Sequence, residues 1–309
     1  MTHTQWKQNK EHGTLFWMRI IIWLARHTSR GFALILLHPI SFYFLLTASE
    51  SRKASLDFLG RTLARPVGWR DFYHHVYVFS TTLLDRVFLF TGRVDEFDVE
   101  VSGAEEILAY LQQGQGCLLL GSHLGSFEIM RAMGTQRQPV EFGLRILMHV
   151  DESEKLPLLL NELAPEMAEI IIPTEKPDTM LRVKEALDSG CLVALLADRV
   201  CGHEKHMACD FLGDRAHFPM APAQLALALK VPVFSFYGIY AGGKHYRIQF
   251  NLLAEAADIR REQRNAWMEM LTRKYADELA EKATESPFNW FNFYDFWKHA
   301  EDKENAENQ

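Results

Sequence analysis

The pattern of apolar positions along this chain changes character near Cys117. Before it, Leu56, Leu59, Leu63, Phe72, Val76, Phe79, Leu83, Leu84 and Val87 fall at three- and four-residue spacing. That spacing predicts helices over 50–92, with Gly92 as the stop. After it, short apolar runs alternate with helical stretches. Cys117–Gly121, Phe142–Met148, Glu169–Ile172, Leu192–Ala197, Val231–Tyr240 and Tyr246–Leu252 read as strands. Ser126–Met133 (closed by Gly134), Asp178–Asp188 (between Pro177 and Gly190) and Ala221–Leu229 read as helices. Runs without a polar residue, such as Leu192–Ala197, fit strands covered on both faces. A long amphipathic helix over Asp258–Ala283 ends at Ser286-Pro287. Strands alternating with helices predict an α/β fold: a mixed, mostly parallel sheet flanked by helices.

Two apolar stretches precede this body. Leu15–Ala25 is interrupted by Arg19, and Gly31–Thr47 is 17 residues long with His38 and Pro39 inside it. A spanning helix wants about 20 apolar residues, and Pro39 is expected to break or kink the second stretch. The charges on its two sides, five Lys/Arg before and four after, set no topology. An amphipathic or re-entrant membrane anchor fits best, with Trp17, Trp23, Phe42 and Tyr43 at the interface. The competing readings are a buried helical hairpin and a cleaved leader. With no repeat and no Pro/Gly/Ser-rich linker, the chain divides into a membrane-associating helical segment (1–48), one domain (49–298) and an acidic, disordered tail (299–309).

Composition narrows the class. Of 309 residues, 48% are hydrophobic and 24% charged, which excludes a disordered chain and allows a sizeable core. The net charge of −7 is divided unevenly. Residues 1–75 carry ten Lys/Arg against four Asp/Glu, and the remainder 23 against 36. A basic, apolar leading quarter suits an anionic membrane surface or an acidic carrier protein. It does not suit nucleic acid, because the charge is interleaved with apolar stretches and no recognition motif is present. Four cysteines are too few for a disulfide scaffold, and Cys117 and Cys191 lie in apolar runs, as free thiols of a reducing compartment do.

Chemistry concentrates at Gly121-Ser122-His123-Leu124-Gly125-Ser126-Phe127-Glu128. A strand ends, a His follows at its carboxyl end, and a helix begins, where α/β folds place ligand sites. On one continuous helix His123 and Glu128 would point about 140° apart. From a turn, the His123 ring can fold back on Glu128, and a carboxylate accepting one ring N–H raises the basicity of the other nitrogen. Gly121 and Gly125 would let a substrate approach closely. Ser122 is no nucleophile elbow, since His stands at the centre of the glycine pair. Cys201, His203, His206 and Cys209 form a zinc-compatible set, but their spacing matches no common zinc pattern. Phe288–Trp297 holds seven aromatics in ten residues, fitting an acyl groove, a bilayer interface or plain core packing.

His123-x4-Glu128 resembles the His-x4-Asp/Glu motif of the lysophospholipid acyltransferase superfamily, and its surroundings are similar to the branch of the secondary lipid A acyltransferases. Asp198-Arg199 at a strand end, Phe211-Leu212-Gly213, Ala216, Phe218-Pro219, Pro222 and the stretch Asp71–His75 through Leu84-Asp85-Arg86 carry the same resemblance, over about residues 50–297. The chain departs from that branch downstream of the motif. An Arg-Pro-x-Asn-Pro-like stretch is replaced by Leu147-Met148-His149-Val150-Asp151, with Arg145 just ahead, which is closer to a divergent subgroup.

The resemblance implies a glycerolipid acyltransferase-like fold, residence at the cytoplasmic face of the cell inner membrane, and acyl transfer without a cofactor or metal. The donor would be an acyl carrier protein or acyl-CoA thioester, the acceptor a lipid or glycolipid hydroxyl. His123 would act as general base with Glu128 orienting it. Gly125, Arg145, Asp198 and Arg199 would contact substrate or stabilise the oxyanion. A thioesterase or esterase with His123 activating water, and a lipid-binding protein without turnover, are the competing functions.

Overall fold

Cys117-Leu118-Leu119-Leu120-Gly121 is apolar at every position because the strand it forms is buried along its whole length. In this computed structural model, which describes residues 28–90, 92–130, 143–149, 169–200 and 204–297, that strand lies in the middle of a seven-stranded sheet. Leu118 and Leu120 point into the core on one face. Cys117 and Leu119 point into the core on the other, as the two-residue period of a strand requires.

Numbered among the described residues, the elements are α1 (Arg30–Thr47), α2 (Ser49–Thr62), α3 (Trp69–Phe90), β1 (Asp98–Ser102), α4 (Ala104–Gln112), β2 (Cys117–Gly121), β3 (Leu144–Met148), β4 (Ile171–Pro173), α5 (Thr179–Asp188), β5 (Leu192–Leu196), β6 (His206–Phe211), β7 (Asp214–Pro219), α6 (Ala221–Leu229), β8 (Val233–Gly242), β9 (His245–Ala254) and α7 (Arg264–Glu285). The sheet order is β1-β9-β8-β2-β5-β3-β4. β8, β2, β5, β3 and β4 run parallel, while β9 reverses against β8 and carries β1 alongside. The mixed, mostly parallel sheet between helices is therefore present as expected. Side chains of α7 (Leu271, Tyr275, Leu279) fill one face. Those of α1, α3 and α4 (Leu37, Phe88, Ile107) fill the other.

Six of the nine strands among the described residues were legible in the sequence as mainly apolar runs, and β1, β6 and β7 were not. β1 is an edge strand reading Asp-Val-Glu-Val-Ser with mostly exposed positions. β6 and β7 form a separate two-stranded hairpin. It turns through Leu212-Gly213, both at positive φ (51° and 85°), the geometry that fits the twist of a tight hairpin. The long helix begins at Arg264 rather than Asp258, after a 3₁₀ turn over Arg261–Gln263. Its buried positions begin only at Met268. Ser126–Met133 is described only at its start, as a 3₁₀ turn over Phe127–Ile129. The rest of that helix, Leu15–Ala25 and the tail 299–309 lie outside the described residues. The aromatic run is core: Trp290, Phe296 and Trp297 pack in the main cluster.

The leading segment needs the largest correction. Helix α1 runs unbroken through Pro39, held by packing on α3, where a proline alone would end it. It is also not an appendage. Arg30 (4% exposed) donates from Nε and Nη2 to both oxygens of Asp85 on α3, at 2.6 and 2.8 Å. The Tyr246 hydroxyl of β9 donates to the same carboxylate at 2.8 Å. Ala33 and Leu37 are buried against the body. Phe32, Ile35, Phe42, Tyr43, Phe44 and Leu46 are bare. This helix is long and apolar enough to cross a membrane by length and composition.

Two outcomes follow from these buried groups. Arg30→Met should cost about 3–5 kcal/mol, since it leaves the Asp85 carboxyl in the core without its cation. Arg30→Met with Asp85→Leu should recover most of that in denaturant melts. His75, fully buried on α3, contacts Ser55 Oγ through Nδ1 (2.7 Å) and the Trp290 carbonyl through Nε2 (3.0 Å). Burial pushes its pKa down to about 3. Between there and the unfolded value near 6.5, the unfolded chain binds the extra proton. This group therefore removes stability as pH falls, by up to about 1.4 kcal/mol per unit. Urea midpoints between pH 7 and 4 should show that slope in the parent protein and a shallower one in His75→Gln.

Candidate active site

β2 and β5 are parallel neighbours, with Gly121 opposite Leu196. His123 stands two residues past the end of β2, and Asp198 two residues past the end of β5. Equal overhangs from paired strand ends bring the two side chains together. His123 Nδ1 lies 2.9 Å from Asp198 Oδ1, and the His123 backbone N–H donates to Oδ2 at 3.0 Å. Oδ2 also accepts the Trp290 indole N–H at 3.2 Å. Asp198 is fully buried while the His123 side chain is 29% exposed. Burial opposes charge on Asp198, yet the nearby His123 and the Arg199 guanidinium hold its carboxyl below the ordinary range. An ionised carboxylate can only accept, so Nδ1 carries the hydrogen and Nε2 is the basic nitrogen. Nε2 has no partner among the described residues.

The turn that carries His123 is fixed by backbone contacts. The Gly125 N–H donates to the Asn289 carbonyl and the Ser126 N–H to the Gly238 carbonyl, both at 2.8 Å. The Phe291 N–H donates to the His123 carbonyl at 2.9 Å, and the Leu124 N–H to Ser122 Oγ at 3.2 Å. Gly125 has φ +82°, and a Cβ there would sit 2.1 Å from the Gly238 carbonyl oxygen. The glycine admits a neighbouring strand, where the sequence reading expected a substrate. The N–H groups of residues 123–126 are thus all engaged, so a stabilising donor for an oxyanion must come from elsewhere.

Several expected roles move. His123 pairs with Asp198 rather than Glu128. Glu128 accepts from Ser126 Oγ at 3.0 Å and sits 2.8 Å from Arg86 Nε as an ion pair. Asp198 is fully buried, and its carboxylate meets three donors, two of them on His123. Arg199 lies at the site, where it donates to the Phe291 carbonyl at 3.1 Å and sits over the Tyr294 ring. Arg145 does not join it. It pairs in register with Val193, level with Leu118, five residues before His123 and so about 16 Å back along the sheet. Arg86 and Trp290 were not anticipated. They come from α3 and the C-terminal segment, and only tertiary packing brings them here.

Of the cysteine–histidine loop, Cys201 and His203 lie outside the described residues. His206 Nδ1 contacts the Glu204 carbonyl at 2.9 Å. Burial pushes the Cys209 thiol up to about 11. No group of three or more metal-ligating side chains is found among the described residues.

The family model for bacterial lipid A biosynthesis acyltransferases matches residues 88–299, which include both strand ends and the C-terminal segment. That is more than two thirds of the chain, which therefore belongs to this family and is an acyltransferase. No curated protein matches it.

The glycine contact is directly testable. Gly125→Ala should cost well over 2 kcal/mol and abolish activity, because positive φ and backbone overlap coincide there. Gly92→Ala, at φ +78° with open space around it, should cost only about 1–2 kcal/mol. Thermal melts of the two variants make the comparison.

Proposed function

We propose that this member of the lipid A biosynthesis acyltransferase family moves a fatty acyl chain from an acyl carrier protein or coenzyme A thioester to a hydroxyl of a lipid or glycolipid, at the cytoplasmic face of the inner membrane. The observation that carries the reading is the His123–Asp198 pair, with Nδ1 committed and Nε2 open. Nε2 takes the proton of the acceptor hydroxyl as its oxygen attacks the thioester carbonyl. Asp198, held ionised, stabilises the imidazolium. Collapse of the tetrahedral intermediate forms the ester and releases the thiolate, which recovers the proton from His123. Because the adjacent N–H groups are occupied, the oxyanion falls to arginine side chains, Arg86 beside Glu128 and Arg199 beside Phe291. Glu128 then serves by holding Arg86 rather than by orienting His123.

The bare apolar face of α1 supports the membrane assignment, since a long-chain donor and a lipid acceptor are both best met at a bilayer. Its fixed attachment through Arg30 and Asp85 would hold the catalytic end at a constant position relative to the lipid.

Purified protein with labelled acyl donor and a lipid extract as acceptor tests this reading. His123→Ala should lose about 10²–10⁴-fold in transfer with an unchanged melt. Asp198→Asn should lose a comparable share, and Glu128→Gln less. Free fatty acid formed without acceptor would favour the hydrolase instead, and near-normal transfer by a folded His123→Ala would remove the mechanism.

A further inference from the structure

We infer that Trp290 is a positioning residue of the reaction. It sets the strength of the Asp198–His123 pair through its indole N–H, and this inference rests on His123 being the base. Three observations converge. First, Trp290 is fully buried and its Nε1 lies 3.2 Å from Asp198 Oδ2, the oxygen that also accepts the His123 backbone N–H. A buried carboxylate with three donors has its charge shared among them. Second, the residues around Trp290 grip the His123 turn. Leu124 and Trp290 bridge as in an antiparallel ladder, the Phe291 N–H donates to the His123 carbonyl, and the Asn289 carbonyl accepts the Gly125 N–H. Third, Trp290 is itself braced. Its carbonyl contacts His75 Nε2, and its ring packs edge-on against Phe58 at 4.7 Å and Phe296 at 4.8 Å between centroids.

The arrangement has a definite electrostatic consequence. The indole N–H draws charge from the oxygen farther from the His123 ring and so moderates the pull of Asp198 on that ring. Without it, the carboxylate binds a protonated imidazole more strongly, and His123 gains basicity at the cost of remaining protonated to higher pH. The other ionisable groups around Asp198 are Arg199, beside it in the chain, and Tyr237 and Tyr275 from β8 and α7. Burial raises both phenols, so they stay neutral across the working range.

The test replaces the ring but not its bulk. Trp290→Phe should lower kcat about 3–30-fold with KM for the donor nearly unchanged. It should also move the acidic limb of the kcat/KM profile upward. Phe58→Leu opens space against the same ring without touching Asp198. It should lower the melting temperature while leaving the limb in place. A limb that moves equally in both variants, or in neither, overturns the inference. Should Trp290→Phe not fold, the parent protein still decides. With ¹⁵N-labelled tryptophan, the Trp290 indole resonance should titrate at the midpoint of the acidic limb, and a resonance flat across that range overturns the inference. Full activity in His123→Ala would instead overturn the general-base reading on which this one rests.

Discussion

The in-register parallel pairing of β2 with β5 is the constraint on which the site depends. Gly121 lies opposite Leu196, so residues the same distance beyond each strand end emerge side by side at the carboxyl edge of the sheet. His123 and Asp198 are 75 positions apart in sequence and 2.9 Å apart in space for that reason. A slip of one residue would send one of the two side chains to the opposite face. The all-apolar sequences of both strands resist such a slip indirectly. Their positions alternate between two separate cores, and each helical layer is fitted to its own face.

The C-terminal segment completes what the sheet begins. Asn289, Trp290 and Phe291 close on the His123 turn from the far end of the chain, and Trp290 adds a donor to Asp198. Gly125 and Gly238 let the His123 turn cross β8 closely, since neither backbone would tolerate a Cβ at the crossing. The cluster of aromatics after α7 thus has a structural meaning: its burial in the main core supplies the hydrophobic free energy that keeps the clamp shut.

On the other face of the sheet, the Arg30–Asp85 pair joins the apolar leading helix to the body. Asp85 and Arg86 are consecutive on α3. The first is turned to α1 and the second to Glu128 beside the His123 turn. The helix with the bare apolar face and the His123 turn are therefore braced by one helix, so the two belong to a single packed unit.

Local sequence determined what depends on local physics. Mainly apolar runs marked β2, β5 and β8, and a proline before and a glycine after marked α5. The strand–His–glycine pattern marked the candidate site, and the ordered motifs pointed to acyl transfer. Tertiary structure alone decided partnerships. His-x4-Glu suggested that His123 pairs with the carboxylate five residues on, yet the partner comes from the neighbouring strand, because strand adjacency is set by long-range burial and carries no local signal. The edge strand β1 escaped notice because an exposed strand may carry polar residues freely, and the β6–β7 hairpin because its short strands mix polar with core-facing residues. The resemblance implied a substrate-side role for Arg145, but strand register puts it far down the sheet. Whether Arg30 ends in solvent or in the core cannot be read from its flanks, because its place depends on Asp85 and Tyr246, 55 and 216 residues farther along the chain.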